Sequence, residues 1–203
     1  MMDNTALFKV EYGLYILTAN TNGKDNGCVN NTFMQVTHSP LCGVVAVNKQ
    51  NHTHDMIMSS KKVNISILTT DAPFSLFEHF GFQSGKTVDK FAGFEQASRS
   101  ENGLLYLTQH CGAYLSLDVT ETFDLDTHTL FRGNIVDARN ISSADIASYS
   151  YYHRHIKPKP GAPAPAKTGY RCTVCNYIYA GEPLPADYIC PVCKYPASSF
   201  VKI

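Results

Sequence analysis

The chain has 203 residues, 17 basic against 17 acidic side chains for a net charge of zero, and a hydrophobic fraction of 44%. That balance excludes the basic footprint of a nucleic-acid-binding protein or of one held on an anionic membrane. No apolar run approaches the roughly 20 residues of a spanning helix. The start, Met-Met-Asp-Asn-Thr, has neither the basic nor the apolar stretch of a secretory leader, so a cytoplasmic protein is expected. Residues 1–156 read mostly as strand. Leu14–Thr18, Cys42–Val47, Val63–Leu68, Tyr114–Val119 and Leu130–Val136 are short, rich in β-branched or aromatic residues, and separated by polar turns. Val63, Ile65 and Ile67 alternate with Asn64 and Ser66, the period-two pattern of a strand. Three short helices are predicted: one capped by Thr53 and running through Met58, one opened by Asp71 and Pro73 and stopped at Gly81, and one from Ser142 or Ser143. Many strands with few helices at this length predict a closed or split β-barrel.

Four of the ten prolines then fall between Pro158 and Pro165. Proline alternating with small residues and lysine builds no core and favours extended chain, so 157–168 is read as a linker spanning at most about 37 Å. Domain boundaries are therefore expected at 1–156 and 169–203.

The tail holds four of the seven cysteines, as Cys172-Thr-Val-Cys175 and Cys190-Pro-Val-Cys193. An odd total without a secretory leader argues against a disulfide scaffold. Two C-x-x-C knuckles converge on one tetrahedral ion, and spacing alone allows zinc or iron. Tyr170, Tyr177, Tyr179, Tyr188, Tyr195 and Phe200 surround them, an apolar shell of the kind that sets an iron site's potential.

In the first domain four polar clusters flank apolar strands: Asn26–Phe33, Val47–His54, His79–Lys86 with Asp89–Phe91, and Asp126–Gly133. Such clusters suit a pocket for one anionic, planar ligand. Gly81–Thr87 imitates a phosphate-binding P-loop but is one residue short of that spacing. His52 and His54, like His153 and His155, are read as hydrogen-bonding or surface residues, and Cys28, Cys42 and Cys111 as buried thiols.

Tyr170-Arg-Cys-Thr-Val-Cys and Tyr188-Ile-Cys-Pro-Val-Cys, with a following proline and Phe200, make 169–203 similar to rubredoxin. The short gap between knuckles is that of the rubredoxin-like tail of rubrerythrins. Asn176 and Lys194 stand where glycine is usual, and Tyr188 where tryptophan is usual. The resemblance implies one Fe(Cys)4 centre on Cys172, Cys175, Cys190 and Cys193, with zinc as the alternative.

From about Phe8 to Val136 the order of the polar clusters resembles the flavin reductase-like, FMN-binding split-barrel family. That resemblance implies a mainly β split barrel with a few short helices. It lays Asn31-Thr32-Phe33 along the isoalloxazine, with Cys28 upstream. It brings the phosphate to Asn48, Lys49, Asn51 and Thr53 where a helix opens. It covers the other side with Phe80, Gly81, Ser84, Gly85, Lys86, Lys90 and Phe91. His128 falls near the reactive edge, to orient a nicotinamide or to serve as a structural histidine. An aromatic from Tyr149 to Tyr152 closes over the ring, and relatives imply a homodimer. A barrel, a proline-rich tether and a rubredoxin tail together resemble the fusions called high-molecular-weight rubredoxins. These imply electron flow from NAD(P)H through FMN and iron to an acceptor protein of the flavodiiron type. A flavin or ferric reductase with a structural zinc ribbon, and a non-enzymatic carrier reduced by another protein, are the two alternatives.

Overall fold

A computed structural model of the chain describes residues 3–158, 169–174, 177–179, 181–191 and 195–203. Two compact units result, Met1–Ile156 and Lys157–Ile203. Most of the linker, together with Cys175 and Cys193, lies outside the described residues.

The first unit contains β1 (Tyr15–Thr21), β2 (Lys24–Asn30), β3 (Met34–His38), β4 (Leu41–Asn48) and β5 (Lys62–Leu68). After them come a small hairpin, β6 (Ala97–Arg99) with β7 (Leu105–Leu107), and the long pair β8 (Cys111–Leu125) and β9 (His128–Asn140). Seven of these make one antiparallel sheet in the order β2-β1-β5-β8-β9-β4-β3. The β8–β9 pair carries the sheet from one side to the other, and two bulges, at Val136 in β9 and Thr120 in β8, increase its twist. The two edge strands, β2 and β3, follow one another in the chain. Side chains from their connection reach across the gap: Asn30 Nδ2 donates to the carbonyl of Ala46 in β4 at 2.9 Å, and Thr32 Oγ1 donates to the same oxygen at 2.7 Å. The Ala46 amide returns a bond to Thr32 Oγ1 at 3.1 Å, so side-chain bonds tie the gap where strand pairing stops.

The sheet carries a buried cluster on each of its two faces. Neighbours in sequence divide between them: Leu17 joins Val45, Val47, Val63 and Ile65 on one face, and Ile16 joins Leu14, Leu68 and Leu107 on the other. Helix α1 (His52–Ser60) seals the first cluster with Met56 and Ile57, and α2 (Phe74–Gly81) seals the second with Leu76, Phe77 and Phe80. Asn64 and Ser66, the polar half of the β5 pattern, are buried as well, because β6–β7 and the turn between them cover that side. Asn64 Nδ2 donates to Ser100 Oγ at 2.7 Å, and its Oδ1 accepts from Ser116 Oγ at 2.7 Å and Asn102 Nδ2 at 2.8 Å.

Several local expectations are corrected. The N-cap of α1 is Asn51, whose side chain makes no capping bond, and Thr53 lies inside the helix. Its hydroxyl accepts from Asn26 Nδ2 at 2.9 Å and is unavailable as a cap. Asp71 does not open α2; its carboxylate is taken by Thr69 and His110, and the helix starts at Phe74 after Pro73. Residues 142–148 form no helix. Their amides are used across the sheet edge instead, with Ala147 N on Leu68 O at 2.9 Å. Helix α3 (Tyr149–Tyr151) begins only after Ser148, which caps it by accepting from the Tyr151 amide at 3.1 Å. The first part of the Asn26–Phe33 cluster, expected as polar loop beside a strand, is itself strand, since β2 runs to Asn30.

The second unit is a three-stranded sheet of β10 (Tyr170–Cys172), β11 (Ile178–Tyr179) and β12 (Phe200–Lys202), ordered β11-β10-β12. Cys172, Cys190 and Phe200 form its buried centre. No helix among the described residues is long and apolar enough to cross a membrane.

Candidate functional site

Three sequence clusters converge around the start of α1. Asn48, the last residue of β4, pairs in register with His128, the first of β9. The Lys49 amide bonds the Thr127 carbonyl at 3.1 Å, which fastens the strand end to the β8–β9 turn. Asn48 Oδ1 accepts from the Gln50 amide at 2.8 Å, turning the chain into Asn51 and the helix. Lys49 Nζ reaches back to Asp124 at 2.7 Å. His128 Nδ1 lies 2.9 Å from Thr127 Oγ1, and burial lowers the imidazole's pKa, so the ring is neutral near pH 7. Thr32, bonded to Ala46, lies two residues along β4 from Asn48, with Asn31 beside it half-buried.

The second group lies between β2, α1 and the 82–86 turn. Asn26 and Cys28, two apart on β2, both face inward. Asn26 holds Thr53, and a Cβ on Gly85 would come within 2.1 Å of Asn26 Oδ1, so only glycine lets the turn pass this closely. Ser84 Oγ accepts from the Lys86 amide at 3.3 Å, and Lys86 Nζ lies 3.6 Å from Asp55 Oδ2 in the first turn of α1. Burial pushes the Cys28 thiol pKa up, which makes it a packing group and not a nucleophile.

Two expected contacts serve a different purpose. Lys90 is 2% exposed, and its ammonium donates to the carbonyls of Gly27 and Phe80 at 2.8 Å each. Phe80 is equally buried, and a Cβ on Gly27 would lie 3.1 Å from its ring. A Cβ on Gly81 would similarly meet Val29 at 3.2 Å. These residues clamp α2 onto β2. Tyr152 packs on Phe77 at 4.6 Å in the α2-side core, and Tyr149 stacks on Tyr152 at 6.2 Å. A cleft of about 240 Å³ on the α2 side, lined by Pro73, Ser75, Leu76, His79, Phe94 and Gln96, contains none of the expected site residues.

Sequence reasoning missed Asp55 and Asp124, and it included Asn26 and Thr127 in their clusters without giving either a role of its own. Asn26 had a signal, a polar side chain two before Cys28 in a strand-like stretch. The two aspartates had none, since their lysine partners are 31 and 75 residues away. His54, read as a hydrogen-bonding residue, is buried and bonded through Nε2 to Thr129 Oγ1 at 2.9 Å.

In the second unit the two knuckles begin alike. The Cys172 amide bonds the Tyr177 carbonyl and the Cys190 amide bonds the Tyr195 carbonyl, each at 2.8 Å. Both residues are fully buried, and Tyr188 packs between Tyr179 at 4.6 Å and Phe200 at 5.5 Å.

The flavin reductase like domain profile matches residues 7–160. The chain belongs to the flavin reductase-like family. Its fold is the mainly β split barrel of that family. Residues 170–201 match the rubredoxin-like domain of rubrerythrin. Over the whole of both chains it is 37% identical to a high molecular weight rubredoxin of Moorella thermoacetica. It is 36% identical to a ferric-chelate reductase (NAD(P)H) of Archaeoglobus fulgidus, over 78% of this chain and 93% of that one. A flavoredoxin from Methanosarcina acetivorans superposes with a TM-score of 0.61 at 25% identity, covering 69% of this chain and 74% of that one. The protein is thus a flavoprotein oxidoreductase of electron transport, and its rubredoxin-like unit implies iron.

The residues fit these groups. A cradle that a Cβ on Gly85 would fill, an α1 start with no side-chain cap, two lysines beside it and an Asn26 Oδ1 without a hydrogen-bond partner among the described residues suit a polar, anionic ligand end. Two buried cysteines, Cys172 and Cys190, in one cluster with Phe200 and four tyrosines suit a soft metal.

Proposed function

We propose that this chain is an NAD(P)H-dependent relay, taking electrons onto FMN in the first unit and passing them through one Fe(Cys)4 centre to an acceptor protein of the flavodiiron type. The observation that carries this reading is the 37% identity to a high molecular weight rubredoxin along the full length of both chains, barrel and cysteine tail together. Bound flavin supplies the conversion of a two-electron hydride into single electrons, and the iron carries them one at a time.

The chain's own residues supply position and charge. Lys49, Lys86 and the first amides of α1 are the donors for a phosphate, with Asn48, Asn51, Thr53 and Ser84 around them. Asn31 and Thr32 flank the ring along β4. Phe80, Gly81 and Lys90 act from behind, holding the β2 wall that carries Cys28. His128, neutral and with Nδ1 beside Thr127, offers Nε2 to a nicotinamide. Cys172, Cys175, Cys190 and Cys193 hold the iron. Joining both centres in one chain makes transfer between them intramolecular, with an effective concentration set by the length of the linker. A homodimer in the cytoplasm completes the reading, supported by the exposed apolar side chains of Met34, Phe123 and Leu125.

A second reading is favoured by the relative named as a ferric-chelate reductase (NAD(P)H). There the acceptor is a ferric chelate or free flavin, and the tail is a structural zinc ribbon. An anaerobic visible-absorption titration with NADH separates the readings. The relay requires flavin bands and a red ferric-thiolate band that both bleach, the flavin first. Flavin bands alone, bleaching with NADH, favour the reductase. Two chromophores that ignore NADH leave a carrier filled by another protein.

A further inference from the structure

The two lysines that bracket the start of α1 are each already held by a carboxylate. Lys49 Nζ lies 2.7 Å from both oxygens of Asp124, at the end of β8. Lys86 Nζ lies 3.6 Å from Asp55 Oδ2, in the first turn of α1, where a negative charge also occupies the positive end of the helix. Lys49 holds the Asp124 carboxyl below the usual range. Asp55 is held down first by its bond from His54 and then, against some desolvation, by Lys86. Both pairs are solvent-accessible, the Asp124 side chain at 73%, so both exchange readily with a solute anion.

We propose that Asp55 and Asp124 are internal competitors for the ligand's phosphate, and that their hold on Lys86 and Lys49 sets how strongly the site prefers a phosphorylated flavin to riboflavin. The inference rests on the flavin reading above. A phosphate carries more charge and more acceptor oxygens than a carboxylate. Arriving at the start of α1, it takes over both ammonium groups, and the displaced carboxylates turn into water at little cost because they are already exposed. Riboflavin has the same ring and ribityl chain but no phosphate, so it leaves both pairs intact.

Each carboxylate has one further bond that an amide oxygen preserves. Asp124 Oδ1 accepts from the Asp126 amide at 2.8 Å, and Asp55 Oδ1 lies 3.0 Å from His54 Nδ1. Substitution by asparagine therefore removes charge while keeping the local geometry.

The test is a fluorescence titration of the full-length chain, freed of flavin, with FMN and with riboflavin. Wild type, Asp124→Asn, Asp55→Asn and the double variant are compared. FMN is expected to bind about two- to fivefold more tightly for each exposed pair removed, with riboflavin unchanged. Equal changes for both flavins, or weaker FMN binding, overturn the inference, because the carboxylates then shape the site or aim the lysines. Lys49→Met gives an independent check: it should weaken FMN and spare riboflavin, and an unchanged FMN affinity overturns the inference. A wild-type chain that takes up neither flavin overturns the flavin reading itself.

Discussion

Asn26 shows how one side chain organises a site. It is buried on β2, it spends its amide on Thr53 of α1, and its oxygen stands against Gly85. Three chain segments far apart in sequence therefore meet on a single carboxamide. Gly85→Ala forces a Cβ into that contact and should cost about 1–3 kcal/mol in a urea melt. The additional change Asn26→Ala should recover part of the loss, since it removes the atom that is struck. A purely conformational glycine requirement would show no recovery. His128 offers a second residue-scale expectation. Burial disfavours its charged form, so the folded state binds the proton more weakly than the unfolded chain. Its contribution is complete above the unfolded pKa of about 6.5 and is lost as pH falls below that and through the lower folded value. Between pH 7.5 and 5.5 the urea midpoint of wild type should fall more steeply than that of His128→Gln, and parallel curves would assign the pH dependence to other groups.

Among the elements, β5 departs furthest from simple patterning. Alternation of Val63 and Ile65 with Asn64 and Ser66 reads as one buried and one solvated face, yet all four are fully buried. The second face is covered by β6–β7, a hairpin whose strands are three residues each and carry no periodic signal. The cover makes Asn64 a hub, with every donor and acceptor of its amide in use. Asn64→Leu leaves Ser100, Asn102 and Ser116 without that partner and should destabilise the first unit by about 2–4 kcal/mol in a thermal or urea melt. A loss below the range of ordinary surface substitutions would mean that these hydroxyls and amides find other partners. Helix α1 makes a related point. Its existence after the β4 end is legible from Asn51-His-Thr-His-Asp, but not its cap, because Thr53 is drawn to Asn26 by packing that no local rule contains.

Across the whole molecule, the proposed relay assigns a different step to each of the two units. Cys190→Ser should remove the ferric-thiolate band and block reduction of an acceptor protein, while reduction of the flavin by NAD(P)H continues at the wild-type rate. Undiminished reduction of the acceptor would show that electrons leave from the flavin directly. The sequence by itself determined the two-part architecture, the mainly β character of 1–156, and the two Cys-x-x-Cys pairs of the tail. These rest on composition, period-two burial and ligand spacing, all of which are local in the chain. It also singled out Asn48, Lys49 and His128, which the fold brings to one strand end, and Lys86, which lies beside α1. Only the tertiary structure decided which of the candidate cations stay accessible. Lys90 and Lys86 are four residues apart, yet one is spent on the carbonyls of Gly27 and Phe80 and the other stays in solvent beside Asp55. The reason is physical: a lysine's role is set by what surrounds its ammonium, and that is supplied by strands and turns tens of residues distant.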